Sequence, residues 1–181
     1  MKAPCSIDQL RALVSMDVDS GALRWLPRPV SMFPDARACK AWNTRFAGAP
    51  AFCTKSGNGY FHGSLLNTKV CAHSIVFALA NSQWQTYTVD HINGDRTDNR
   101  PCNLRDVPHV QNMRNQPLSR ASTTGLTGVS FDKARGKFAA HITVHGRVKH
   151  LGRFATAEQA AAARAAANKT YSFHQNHGRT A

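Results

Sequence analysis

Hydrophobic and polar positions alternate most regularly near the C-terminus. Phe138, Ala140, Ile142 and Val144 interleave with Lys137, Ala139, His141 and Thr143, a period of two that predicts one buried and one polar strand face. The flanking TGVSFD and VKHLGRF, joined through KARG and HG turns, complete a predicted three-stranded antiparallel sheet. Thr156 and Gln159 have the capping-box spacing and open an alanine-rich helix ending near Tyr171; Ala160, Ala161 and Ala165 are small enough to let it lie close on the sheet. The same spacing recurs at Ser6 and Gln9, ahead of an apolar helix face made by Leu10, Leu13 and Val14. Asp17 to Gly21 reads as a turn into a strand at Ala22 to Trp25, and Pro27 to Pro50, with no steady period, reads as loop-rich. From Gly59 the pattern sharpens: GYFHGSLL, a turn at Asn67 to Lys69, then VCAHSIVFALAN with Val76, Leu79 and Ala80 as a helix face. The β-branched and aromatic TYTV, Thr86 to Val89, then runs straight into Asp90 and His91.

Charge narrows the class of partner. The 181 residues carry 23 Lys plus Arg against 10 Asp plus Glu, a net charge of +13, which favours a polyanion over small anionic metabolites. Residues 118–181 hold ten basic and two acidic residues, a net +8 of that total, so the polyanion contact is expected mainly there. The polar stretch Gln116 to Gly125 reads as a linker. No apolar run is long enough for a bilayer and no signal-peptide pattern opens the chain, so a soluble, cytoplasmic protein without membrane association is expected. Five scattered cysteines, none in a C-x-x-C pair, argue against a disulfide scaffold, and no structural zinc is expected.

The chemistry concentrates in TVDHINGDRTDNRPCNLRDVPHVQNMRN, Thr88 to Asn115. It predicts a strand ending at His91, a polar loop, a short strand at Asn103 to Val107 and a helix from about Pro108 that Pro117 ends. Asp90 offers a carboxylate oxygen and Asn112 an amide oxygen, hard donors that suit Mg²⁺ or Mn²⁺ better than zinc and leave positions for water and a phosphate. His91, a neutral imidazole near physiological pH, can take a proton from water. Together these residues suit metal-assisted hydrolysis of a phosphodiester.

Asp-His, then Asn103 twelve residues after the histidine and Asn112 twenty-one after it, resembles the HNH nucleases of the ββα-metal finger class, in the variant with Asn for the last His. DHINGDRTDN, NLR and QN-x-x-N are similar to phage and intron-encoded HNH endonucleases. The resemblance implies that Asp90 and Asn112 hold one divalent metal, that His91 is the general base, and that Asn103 pins the loop so that His91 is aimed at water. AHSIVFALA resembles the family's A-H-R helix, with His73 its histidine, expected to pack or face a phosphate. Ser74 stands where the family has Arg, and Pro108 where a Thr caps the helix, which leaves Asp106 as a substitute cap. Trp25, Trp42 and Trp84 are expected in the core, Cys102 as a small buried side chain, and His62, His109, His174 and His177 outside any metal site.

TGV-x-x-D, GK-x-x-A-x-I, LG-x-F and T-x-x-x-A-A resemble the ERF-type (APETALA-type) DNA-binding domain, whose sheet enters the major groove. By that resemblance Lys137, His141, Arg147, Lys149 and Arg153 are the DNA-facing candidates. The expected fold class is α+β: residues 1–58 an N-terminal region with a short helix and loops, 59–117 a ββα-metal HNH nuclease core, 118–125 a linker, and 126–181 the three-stranded sheet plus helix and tail. The expected function is a phage- or mobile-element-encoded endonuclease of double-stranded DNA, working in a bacterial host cell with Mg²⁺ (or Mn²⁺). It would leave 5′-phosphate and 3′-hydroxyl ends. The alternative is a DNA-binding regulator using an HNH-like scaffold without cleavage. No obligate protein partner is implied, although a double-strand break would take two nicking events or a homodimer.

Overall fold

In the computed structural model, which describes residues 3–108, 112, 118, 122–173 and 177, Ser6 caps helix α1 (Ile7–Leu13). Both bonds of the capping box form: the Gln9 N–H donates to the Ser6 hydroxyl, and the Ser6 N–H to the Gln9 side chain. The chain turns directly into β1 (Val14–Met16), which pairs antiparallel with β2 (Leu23–Trp25). Helix α2 (Ala36–Phe46) follows, then β3 (Thr54–Lys55), β4 (Phe61–Leu65) and β5 (Thr68–Cys71), a three-stranded antiparallel sheet in that order. Helix α3 (Ala72–Asn81) leads to the antiparallel pair β6 (Thr88–His91) and β7 (Leu104–Val107). All of these belong to the first of two compact units, Met1–Pro108. One apolar core runs through it: Leu10, Leu13, Val14, Leu23 and Phe52 pack with Leu65, Ile75, Val76, Val89 and Leu104. The first 58 residues and the segment after Gly59 therefore share their core.

Two stretches of this unit depart from expectation. Residues 27–50 were to be loop-rich, yet they contain α2, whose N-cap Asp35 accepts the Ala38 N–H at 2.7 Å. The positions it turns inward, Ala38, Cys39, Trp42, Asn43 and Phe46, have helical spacing but include Cys and Asn, which dilutes the apolar period. In α3 the run Ser74 to Ala78 is buried all round, whereas Ala80, placed on the apolar face, is exposed.

The second unit, His109–Ala181, holds β8 (Val129–Asp132), β9 (Lys137–Val144), β10 (Arg147–Phe154) and helix α4 (Ala157–Thr170). The sheet is antiparallel in the order β10-β9-β8. The β9–β10 turn puts His145 and Gly146 at φ 51° and 74°, the paired left-handed angles of a tight hairpin. Phe138, Ala140, Ile142 and Val144 face the helix, as the alternation predicts. On α4 the packing positions are Ala160, Ala163, Arg164 and Ala167; Ala165 points outward. Gly128, at φ +69°, lies so close to the buried Arg164 that a Cβ there would meet its Nε at 2.5 Å.

The molecule is thus α+β with small antiparallel sheets. The predicted helix from Pro108 to Pro117 lies outside the described residues except for Asn112, which is helical and half-buried.

Candidate active site

Strand β6 ends in three consecutive buried residues, Val89, Asp90 and His91, with Asp90 8% and His91 3% exposed. Burying a carboxylate requires a partner, and the register supplies one: Asp90 sits opposite Arg105 on β7. Arg105 donates to Asp90 Oδ2 from Nη2 at 2.8 Å and from Nε at 3.1 Å. His91 Nε2 stands 3.0 Å from Asn99 Oδ1. An amide oxygen only accepts, so Nε2 donates to it.

The loop between the strands is cross-linked by its own side chains. Asn103, 5% exposed, accepts the Asn93 N–H on Oδ1 at 3.0 Å and donates from Nδ2 to Asn93 Oδ1 at 3.0 Å and to the Asp98 carbonyl at 2.8 Å. Asp98 accepts both Nε (2.8 Å) and Nη2 (2.7 Å) of Arg100 and an amide bond from Asn93, and the Arg100 bonds hold its carboxyl down at about 2. Asp95 accepts from the Thr97 N–H and hydroxyl, which lowers its pKa as well. Asn93, Asp95 and Asp98 thus close local turns, while Asn99 is turned to His91.

Aromatic rings wall the histidine. His73, from α3, meets the His91 ring edge-on at 5.2 Å, and Tyr60 lies 5.1 Å from His73 and 5.8 Å from His91. Burial, reinforced by the charge of His91, pushes His73 down to about 4, so it is neutral at physiological pH. Behind the loop, Gly21 (φ +69°) approaches so closely that a Cβ would fall 2.1 Å from the Asn99 carbonyl oxygen.

The Asp106 carboxylate accepts the N–H groups of Thr86 (2.6 Å) and Tyr87 (2.9 Å), fastening the entry to β6; the helix it was expected to cap lies outside the described residues apart from Asn112. The expectation for Cys102 is corrected. Cys102 is exposed, because the 3-10 turn Pro101–Asn103 directs Asn103 inward in its place. Ser74 is buried and accepts from Gln85 Nε2 at 3.1 Å. Trp25 and Trp84 pack at the edge of the core and Trp42 in an aromatic cluster with Trp25, Phe33 and Phe46. Asn99, Tyr60, Arg105 and Gly21 were not singled out from the sequence; Asn99 lay within the DRTDN word, but its pairing with His91 depends on how the loop folds back.

Residues 70–114 match the family model of HNH endonucleases. The match takes in His73, Asp90, His91, Asn99, Asn103, Arg105 and Asn112, and supports nuclease chemistry on DNA in general; it covers about a quarter of the chain and stops short of the C-terminal sheet. No curated protein and no solved structure matches the chain. Among the described residues no three His, Cys, Asp or Glu side chains gather as a metal cage.

In the second unit the register divides the five DNA-facing candidates. Lys137, His141 and Arg153 lie on the sheet face away from α4, with Arg153 Nε 3.3 Å from Asp132. Arg147 and Lys149 are opposite Val144 and Ile142, on the helix side, and Lys149 Nζ donates to the Tyr171 hydroxyl at 3.1 Å. His150, directly opposite His141, and the exposed Val148 join the open face instead.

Proposed function

We propose that the chain is a divalent-metal-dependent DNA endonuclease that leaves 5′-phosphate and 3′-hydroxyl ends, with the C-terminal sheet giving site preference. The observation that carries this reading is a buried strand end pairing Asp90 with a histidine whose Nε2 donates to Asn99, within a segment matching HNH endonucleases. Nδ1 of His91 takes a proton from the attacking water, and the resulting imidazolium donates a stronger, charge-assisted bond from Nε2 to Asn99. His73, neutral throughout, sets no opposing charge against that imidazolium. Asn103 pins the loop between the strands through its bonds to Asn93 and the Asp98 carbonyl. Asp90 and Asn112 would hold Mg²⁺ or Mn²⁺, and their hard oxygens fit such an ion. When bound, the ion supplies Lewis-acid stabilisation of the phosphate and the leaving 3′ oxygen.

Supercoiled plasmid incubated with Mg²⁺ is the direct test, the expected product being nicked circles. Asn112→Asp should retain cleavage and Asn112→Ala should not; equal metal dependence of wild type and Asn112→Ala would remove Asn112 from the coordination shell. One observation favours the regulator reading: two Arg105 bonds already engage Asp90 Oδ2, as in a purely structural ion pair. A chain that binds DNA but leaves plasmid intact with both Mg²⁺ and Mn²⁺ would establish that alternative.

A further inference from the structure

The nuclease unit carries a charge concentration that the site does not use. From Arg24 to Lys55 there are six basic residues and one acidic residue, a net +5, while the rest of residues 1–117 sums to zero. The one acid, Asp35, is committed to capping α2 through the Ala38 N–H. On α2 itself Ala38, Cys39, Trp42, Asn43 and Phe46 turn inward, and Arg37, Lys40, Ala41, Thr44 and Arg45 turn outward. Among the described residues, Arg37, Lys40 and Arg45 make no ion pair.

We propose that this outward face of α2 is a second DNA-backbone contact, belonging to the nuclease unit and independent of the C-terminal sheet. The inference rests on the endonuclease reading, from which it takes the partner. Eight residues of helix rise about 12 Å, as much as three to four nucleotides rise along the duplex axis at about 3.4 Å each, so three cations can each meet a separate phosphate. The small Ala41 and Thr44 between them let a backbone approach. The face has no large apolar side chain to anchor in a protein groove or a lipid interface, which sets DNA apart from those partners.

The helix is also held firmly enough to transmit position. The Asn43 side chain accepts the Arg28 N–H at 2.8 Å and donates to the Arg28 carbonyl at 2.9 Å, and the Arg28 guanidinium lies 4.0 Å over the Trp42 ring. Trp42 meets Trp25, which stacks at 4.9 Å on Phe52 of the unit's core. Just before β2 the chain passes Gly21, in contact with the Asn99 carbonyl of the loop that orients His91. A phosphate grip on α2 would therefore set the duplex against the same frame that holds the histidine.

The test uses the full chain and a short mixed-sequence DNA duplex, with EDTA present to prevent cutting and affinity measured across a salt series. In the triple variant Arg37→Gln, Lys40→Gln, Arg45→Gln, the slope of log affinity against log salt should become shallower by about two to three, with affinity down on the order of 10²-fold at about 0.1 M salt. Thermal melting should be unchanged, because all three side chains are exposed. Thr44→Lys adds a cation on the same face and should steepen the slope by about one. A triple variant with the wild-type slope, or a Thr44→Lys variant that gains nothing, would overturn the assignment whatever the nicking rate. Wild-type chain that binds DNA but never cuts it would sink the endonuclease reading and leave this one to be judged on the slopes; wild-type chain that binds no DNA sinks both.

Discussion

The loop around His91 and the open face of the C-terminal sheet hold their polar groups in opposite ways. In the loop, Asn93, Asp95, Asp98, Asn99 and Asn103 spend hydrogen bonds on neighbouring side chains, His91 and Arg100 included, and on the backbone, so the polar atoms are fixed before any substrate arrives. On the sheet, Lys137, His141 and His150 are spread over a surface with few internal bonds, available to whichever phosphate or base edge comes near. Proton transfer needs placement to within a few tenths of an ångström, whereas neutralising a phosphate needs only a charge within reach. Substitutions in the first region should therefore change turnover at constant affinity, and those in the second should change affinity in a salt-dependent way.

The largest separation is expected at His91. His91→Ala should lower plasmid nicking by about 10²- to 10⁴-fold while leaving the duplex affinity near wild type. Asp90→Ala should behave likewise. Retained cleavage by His91→Ala would erase the distinction between the two regions at its root.

His73 offers a stability readout confined to the first unit, because Trp25, Trp42 and Trp84 all lie there and tryptophan fluorescence follows that unit alone. An imidazole in the unfolded chain binds its proton near 6.5, whereas folded His73 resists until about 4. The unfolded state thus holds more protons between these values. Stability contributed by the neutral ring is complete above pH 6.5 and is lost as the pH falls towards 4, about 3 kcal/mol in all. The depressed carboxyl of Asp98 acts at lower pH, between its ordinary value and about 2. His73→Phe should flatten the pH 4 to 6.5 segment of denaturant midpoints; an unchanged slope there would mean that His73 is not held neutral.

Asn99→Ala should slow nicking by about 10- to 100-fold through loss of the tautomer and ring orientation of His91, the usual scale for a group that orients a functional histidine. The duplex affinity should not move. A combined His91→Ala, Asn99→Ala variant no slower than His91→Ala alone is expected, since Asn99 acts through the histidine.

The smallest effects discriminate within the sheet. Lys137→Gln should make the salt slope shallower by about one, and Lys149→Gln should leave it alone while costing up to about 1 kcal/mol of stability through its lost contact with Tyr171. The reverse pattern would show that the helix side of the sheet meets DNA.

These sites also show where sequence pattern informs and where it stops. Strands β6 to β10 and helix α3 follow from alternation and β-branched runs because burial on one or both faces imposes those patterns. The Asp90, His91 and Asn103 spacing could be seen because the chemistry uses rare residue types at fixed intervals. Asn99 could not be separated from the other turn-forming Asn and Asp residues, since its partner is chosen by the folded path of the loop. Arg147, Lys149 and Arg153 share one parity and so read as one face, but the strand irregularity between His150 and Gly152 shifts the register by one and puts Arg153 on the opposite face from the other two. Helix α2 stayed hidden behind its flanking prolines and its mixed inner face of Ala, Cys, Trp, Asn and Phe.

The contact between Gly21 and the Asn99 carbonyl bears on how this chain can be cut down. A fragment starting at residue 59 would keep every residue of the HNH match, yet it would lack the wall behind Asn99 and the Leu10, Leu13, Val14, Leu23 and Phe52 share of the core. Such a fragment should stay inactive until a separately produced peptide of residues 1–58 restores that surface. The first unit is in this sense a two-part assembly in one chain; if the endonuclease reading holds, it would suit a split nuclease whose activity reports the meeting of its halves.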